Sequence, residues 1–256
     1  MRILFFLLVF LSCYIRAGFT WDIKALNSKP DIKAKVNLVF CVINCSDKDE
    51  PAKTIEVFRQ RLARTKPFDA FIESMGFYYI NLTPKEEQLI FKNTTGFPPL
   101  KVRQDFLNNI STYFKSNYKL IIIDVTGSVF CAELSSIDKV SLIILGKLRY
   151  KGQNSFAKSF LHELGHSLGL RDECLDCAQL SPAGEPNCAA TKEEAQKWWG
   201  DLAEQTERVD YINGCCGNKN YFRPTIASLM NDSDKAEDFG PVNERYLKKV
   251  LDLALR

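Results

Sequence analysis

Leu161-His162-Glu163-Leu164-Gly165-His166-Ser167-Leu168-Gly169-Leu170-Arg171-Asp172 holds both histidines of a 256-residue chain. On a helix, residues i and i+4 share one face, so the two imidazoles can grip a single metal ion. Glu163 projects beside them, where a carboxylate can take a proton from metal-bound water. Gly169 can leave the helix through a positive φ at little cost, and the turn brings a third ligand back three residues later. Zinc at a catalytic site takes three protein ligands and a water, and a carboxylate oxygen is acceptable. Asp172 is therefore the expected third ligand, with Glu173 its immediate competitor. The short H-E-x-x-H pattern occurs by chance, but here the only two histidines stand four apart beside a glutamate. One catalytic Zn2+ is the expected cofactor.

Outward from that segment, the hydrophobic pattern predicts a helix over residues 155–168, the context the motif requires. Upstream, residues 35–43 (KVNLVFCVI) are apolar and β-branched, a buried strand. Residues 49–65 follow with helical spacing, 77–81 as a strand, 105–116 as an amphipathic helix and 120–125 (LIIIDV) as a central strand. Two more strands fall at 129–134 and 140–145. Downstream come an irregular cysteine-bearing stretch, a helix at 192–207 carrying Trp198-Trp199, and a helix at 241–255 with Pro241 in its first turn. Burial of the two indole rings on their helix is the expected use of Trp198 and Trp199. Strands alternating with helices, then a loop-rich second half, describe an α/β fold. Its expected form is a twisted mixed sheet joined to a smaller, cysteine-bearing C-terminal subdomain. The expected division is 35–169 and 170–256, after an extended lead-in at 18–34.

Composition is that of an ordinary globular protein, 46% hydrophobic and 25% charged. A net charge of +3 argues against nucleic acid as a partner recognised by bulk charge. Residues 1–17 read as a secretory signal: a short basic start, an apolar run from Ile3 to Leu11, and small residues at Ala17-Gly18. The run is short for a membrane span, so no stable span is expected and the protein is read as secreted. Cleavage near Ala17 removes Arg2, Arg16 and Cys13. Eight cysteines are then left, at 41, 45, 131, 174, 177, 188, 215 and 216. An even count in an exported chain predicts disulfides. Cys215 and Cys216, being adjacent, are expected to reach two different partners, and a second zinc on Cys174-x-x-Cys177 is the alternative. Asn44, Asn81, Asn93, Asn109 and Asn231 head N-x-S/T sequons, which suit a secreted surface.

The extended motif His162-Glu163-x-x-His166-x-x-Gly169-x-x-Asp172 resembles that of the metzincin metallopeptidases. Met230, in Ile226-Ala227-Ser228-Leu229-Met230-Asn231, resembles their Met-turn, which lies beneath the metal. Tyr221-Phe222-Arg223-Pro224 and Phe239-Gly240-Pro241-Val242-Asn243 are similar to closing segments of the immunoglobulin-A-peptidase-type metallopeptidases. The strand at 36–42, Lys66-Pro67-Phe68 and Lys197-Trp198 look like further landmarks of that family, so the likeness spans roughly 35–250. It departs where Cys174 follows the Asp-Glu pair, at a position where the family carries an aromatic. The resemblance implies an α+β zincin fold for 35–256 and a zinc endopeptidase acting on protein or peptide. Glu163 is then the general base and His162, His166 and Asp172 the ligands. Tyr221 and Arg223, just before the Met-turn, are candidate transition-state helpers, with a structural salt bridge the alternative for Arg223. An extended substrate is expected to pair with the edge strand at 129–134. A zinc amidase acting on cell-wall peptides and a catalytically silent binding module are the competing functions.

Overall fold

The computed structural model describes residues 22–26, 36–45, 47, 49–93, 100–114, 118–127, 132–137, 140–147, 152–176 and 182–254. The predicted signal at 1–17 lies outside them. Strands β1 (Asp22–Ala25), β2 (Val36–Ile43), β3 (Met75–Asn81), β6 (Tyr118–Asp124), β7 (Ala132–Ile137) and β8 (Val140–Gly146) form one twisted mixed sheet in the order β1-β3-β2-β6-β8-β7. The four inner strands run parallel, and each outer strand is antiparallel to its neighbour. Between β3 and β6 lies a short antiparallel pair, β4 (Phe91–Asn93) with β5 (Leu100–Val102).

Parallel strands covered on both faces are near-continuous apolar runs, and VNLVFCVI in β2 is one, broken only by the buried Asn37. Leu38, Phe40 and Val42 face one core with Phe77, Ile121, Ile123, Ile143 and Leu145. Val39, Cys41 and Ile43 face the other with Tyr78, Ile80, Leu120, Ile122, Leu142 and Ile144. Six α-helices are described: α1 (Glu50–Leu62), α2 (Pro84–Ile90), α3 (Gln104–Phe114), α4 (Gln153–Ser167), α5 (Lys192–Gln205) and α6 (Pro241–Ala254). Helices α1, α4 and α6 close the first core, and α3 closes the second through Phe106, Leu107, Ile110 and Phe114.

Helix α4 is seated by Phe156, Phe160 and Leu164, spaced four apart on its buried face. Phe160 stacks on Phe58 of α1 with centroids 4.4 Å apart, and Phe156 leans on the same ring at 5.1 Å. Lys158, on the same helix, is buried and pairs with Glu237 at 2.6 Å while donating to the Asp234 carbonyl. Glu237 in turn accepts from Arg61 of α1, so one carboxylate ties α1 and α4 to the segment after residue 230. Lys119 of β6 donates to the Ser167 carbonyl at 2.6 Å, placing a cation on the negative end of the α4 dipole.

The predicted elements recur with small shifts at their ends, the largest at the edge strand, where the described residues run Ala132–Ile137 against a predicted 129–134. Residues 129–131 lie outside the described set. The irregular C-terminal stretch contains an additional hairpin, β9 (Ile212–Cys215) with β10 (Asn218–Arg223). Its polar, interrupted sequence shows no alternation. Helix α2 spans 7 residues, too few for a visible period, and a Thr83–Glu86 capping box starts it. Residues 170–256 do not carry a wholly separate core, because Leu170, Leu229, Met230, Phe239, Leu247 and Leu251 pack with the sheet and α4. Trp199 is fully buried and donates Nε1–H to the Asp210 carbonyl, while Trp198 is half-buried. Among the described residues, no helix is long and apolar enough to cross a membrane.

Candidate metal centre

Helix α4 ends in a Schellman turn. Leu170 N–H reaches the Gly165 carbonyl and Gly169 N–H the His166 carbonyl, the 6→1 and 5→2 pair of that motif. Gly169 has φ +104°, a backbone conformation that calls for glycine, and a Cβ there would crowd the Tyr246 hydroxyl at 2.6 Å. The turn reverses the chain and brings residues 171–174 back past the helix end.

Each histidine is oriented by a carbonyl. His162 Nδ1 lies 2.7 Å from the Leu229 oxygen, and His166 Nδ1 lies 3.0 Å from the Leu170 oxygen. A carbonyl can only accept, so each Nδ1 carries the hydrogen and the neutral ring presents its lone pair on Nε2. Those two Nε2 atoms are 3.0 Å apart, and Asp172 Oδ1 lies 3.3 Å from each. A tetrahedral zinc with bonds of about 2.0–2.1 Å separates its ligands by about 3.3 Å. Two imidazole nitrogens and a carboxylate oxygen at that spacing fit zinc in both chemistry and reach. Glu163 is buried beside them, its Oε1 4.0 Å from His162 Nε2.

The electrostatics favour positive charge at the same point. Burial alone would lower the His162 pKa, yet the Asp172 and Glu163 carboxylates raise it to about 9. Burial pulls Asp172 upward, but the two imidazoles hold its carboxyl well below the usual carboxylate range.

Glu173 turns the other way. It is fully buried and accepts from Ser228 Oγ at 2.6 Å, Asn243 Nδ2 at 2.8 Å, Asn187 Nδ2 at 3.0 Å and Thr225 Oγ1 at 3.4 Å. Burial pushes its carboxyl pKa up, against the pull of these donors. The geometry thus separates the two adjacent carboxylates, Asp172 toward the histidines and Glu173 into a buried hub. Asn187 also clasps both the N–H and the carbonyl of Arg171, while Glu173 N–H donates to the Met230 carbonyl. No pattern in the sequence marks Asn187, and Ser228 and Asn243, though inside the quoted landmark segments, carry no signal that assigns them this role. Only the hub they share, assembled from three distant segments, reveals their part.

Met230 is fully buried under α4: a Cβ on Gly165 would lie 2.7 Å from its Sδ. Gly165 falls between the two histidines, so the helix rests on this methionine through the one position without a side chain. No protein-family model matches the chain, and no curated protein sequence matches it.

The remaining candidates are placed elsewhere. Arg223 Nη1 donates to the Gly214 carbonyl at 2.5 Å and the Glu173 carbonyl at 3.3 Å, and Nε donates to the Thr225 carbonyl at 3.2 Å. Its guanidinium is a clamp on three backbone oxygens. Tyr221 packs, half-buried, on a cysteine cluster formed by Cys188, Cys215 and Cys216.

The cysteines correct the expectation of uniform pairing. Cys188 is bonded to Cys215, and Cys174 is disulfide-bonded as well. Cys41, Cys45 and Cys216 are free. Cys41 lies in the sheet core, where cysteine acts as a small apolar side chain, and burial pushes its thiol far above the ordinary range. Cys45 donates to the Asp47 carbonyl at 3.2 Å. Cys215 and Cys216 do not bond each other, as expected, but only Cys215 reaches a partner. Burial raises the Cys216 thiol to about 11.

Proposed function

We propose that the chain is a secreted zinc-dependent endopeptidase of metzincin type, similar to the immunoglobulin-A-peptidase-type metallopeptidases. One observation carries the reading: the convergence of His162 Nε2, His166 Nε2 and Asp172 Oδ1 at the edge length of a zinc tetrahedron, beside a buried Glu163. A zinc ion bound by those three residues supplies Lewis acidity to the scissile carbonyl and makes a water acidic near neutral pH. The Leu229 and Leu170 carbonyls hold the ligand rings in the tautomer that keeps both Nε2 lone pairs available. Glu163 accepts a proton from the attacking water and returns it to the leaving amine. Retention of a metal alone does not require a carboxylate at that position, which favours an enzyme over a silent binding fold.

The zincin reading draws support from the sheet, whose antiparallel edge strand β7 lies against the same side as α4. The outer edge of β7 offers a peptide substrate an extended backbone to pair with. Under this reading residues 1–17 are a cleaved signal and 35–256 the catalytic domain. Its disulfides suit an oxidising compartment. The test is cleavage of a denatured protein set beside cell-wall peptide fragments, with and without chelator. Glu163→Gln should keep zinc and lose cleavage. Full cleavage by that variant, or chelator-insensitive cleavage, overturns the mechanism, and cleavage of cell-wall fragments alone favours the amidase.

A further inference from the structure

Beside the ligand loop, the Sγ atoms of Cys188, Cys215 and Cys216 all lie within 4.8 Å of one another, and all three residues are fully buried. One disulfide and one thiol thus share a single small space. As its thiolate, a cysteine so placed can attack a disulfide sulfur and expel the other, without any external oxidant or reductant. Cys216 is held there in the left-handed region at φ +53°, sparsely populated for a residue with a side chain, and its N–H donates to the Asp172 carbonyl at 3.0 Å.

A second, independent observation concerns the sulfur that would leave. Cys215 Sγ lies 3.3 Å from the Asp172 carbonyl oxygen and 3.6 Å from that of Asn187. Both oxygens are acceptors, yet a sulfur in a disulfide has no hydrogen to donate. As a thiol, the same sulfur would have one, and an acceptor already waits within reach.

We propose that Cys188 is shared between Cys215 and Cys216 by internal thiol–disulfide exchange. Once deprotonated and turned about its side-chain torsion into line with the bond, Cys216 Sγ attacks Cys188 Sγ; the 188–216 bond forms as the 188–215 bond breaks. The proton given up by Cys216 ends on Cys215 Sγ, which then donates to the Asp172 carbonyl. One disulfide and one thiol stand on each side, so the step is redox-neutral. In one pairing the Asp172 carbonyl is held by the Cys216 N–H; in the other a second donor is added from Cys215. The exchange adjusts how firmly the Asp172 loop is tied, and its bearing on metal rests on the proposed ligand role of Asp172.

The test uses the full chain, purified without reductant. After hours at neutral pH, the timescale of uncatalysed rearrangement, the sample is unfolded in acid denaturant with a maleimide. Fragmentation between residues 215 and 216 by mass spectrometry then locates the label. Exchange puts maleimide on Cys215 in some molecules and on Cys216 in the rest. Label on Cys216 alone overturns the proposal. Cys215→Ser is the second arm: a 188–216 bond leaves one reactive thiol fewer than in the native chain. Reaction of both Cys188 and Cys216, one thiol more than native, speaks against it. If this variant does not fold, the native label decides. Zinc measured in the same samples separates exchange from the metal site, since the label distribution reports the pairing of Cys188 whether or not zinc is bound.

Discussion

Ser228 donates its hydroxyl hydrogen to Glu173 across 2.6 Å, with both residues fully buried. That bond fastens the loop carrying Asp172 to the segment that carries Met230, and it turns one of two neighbouring carboxylates away from the histidines. Glu173→Ala strands the Ser228, Asn187 and Asn243 donors in a dry site. At about 1–3 kcal/mol for an orphaned buried donor, the loss should reach about 3 kcal/mol or more by denaturant unfolding. Asp172→Ala should instead abolish zinc retention, and cost the metal-free fold only its pairing with the two imidazoles. Zinc held by Asp172→Ala but lost from a stably folded Glu173→Ala would reverse their roles.

The pH response should change sign with metal. His162 has a folded pKa raised to about 9 from an ordinary value of 6.5. Its contribution to the metal-free fold is therefore complete below the unfolded value and lost as pH climbs through the folded one. Asp172, held low, contributes above the ordinary carboxylate range and loses that only in strong acid. Metal-free protein should accordingly melt lower at about pH 9 than at about pH 6, by about 2–4 °C for each kcal/mol. Zinc competes with the proton for Nε2, so the stabilisation added by zinc should grow over the same interval. Parallel melting curves with and without zinc would count against the site.

Gly165→Ala tests the contact between α4 and Met230. On an open helix the change would help by about 0.8–1 kcal/mol. Here the new Cβ would meet Met230 Sδ at 2.7 Å and Phe239 Cε1 at 3.0 Å, and overpacking of this kind costs about 1–3 kcal/mol. A net loss of stability is expected. Combining it with Met230→Ala should give a protein more stable than the two separate losses imply, because the cavity receives the added methyl. Strict additivity would mean that the two residues do not touch.

Arg223→Ala distinguishes a clamp from a catalytic helper. The guanidinium serves the Gly214, Glu173 and Thr225 carbonyls, and hydrogen bonds to a charged group are each worth about 1.5–3 kcal/mol. A fall in thermal midpoint with kcat of the folded fraction within about tenfold is expected. A loss of about a hundredfold or more in kcat with stability intact would assign the side chain to the transition state.

The sequence made α4 legible because three signals agree there: four-residue spacing of Phe156, Phe160 and Leu164, the histidine pair, and the terminating Gly169. β2 was equally plain, since a strand covered on both faces is apolar almost throughout. The spacing favoured Asp172 over Glu173 but gave no reason to send Glu173 elsewhere. Successive residues in an extended stretch point to opposite sides, and only the placement of Asn187, Ser228 and Asn243 decides which side is which. Counting cysteines in pairs failed for a related reason. Cys41 is used for its volume in the sheet, and parity cannot tell a packed thiol from a crosslinked one.

Both histidines of the protein stand in one cluster. Every imidazole signal the molecule can give therefore originates there. The ring protons in a nuclear magnetic resonance spectrum, or the absorbance change on acylation by diethyl pyrocarbonate, report protonation and metal occupancy of the site without any introduced label. An unaltered chain can thus be titrated with acid or zinc and read directly at the two residues that matter.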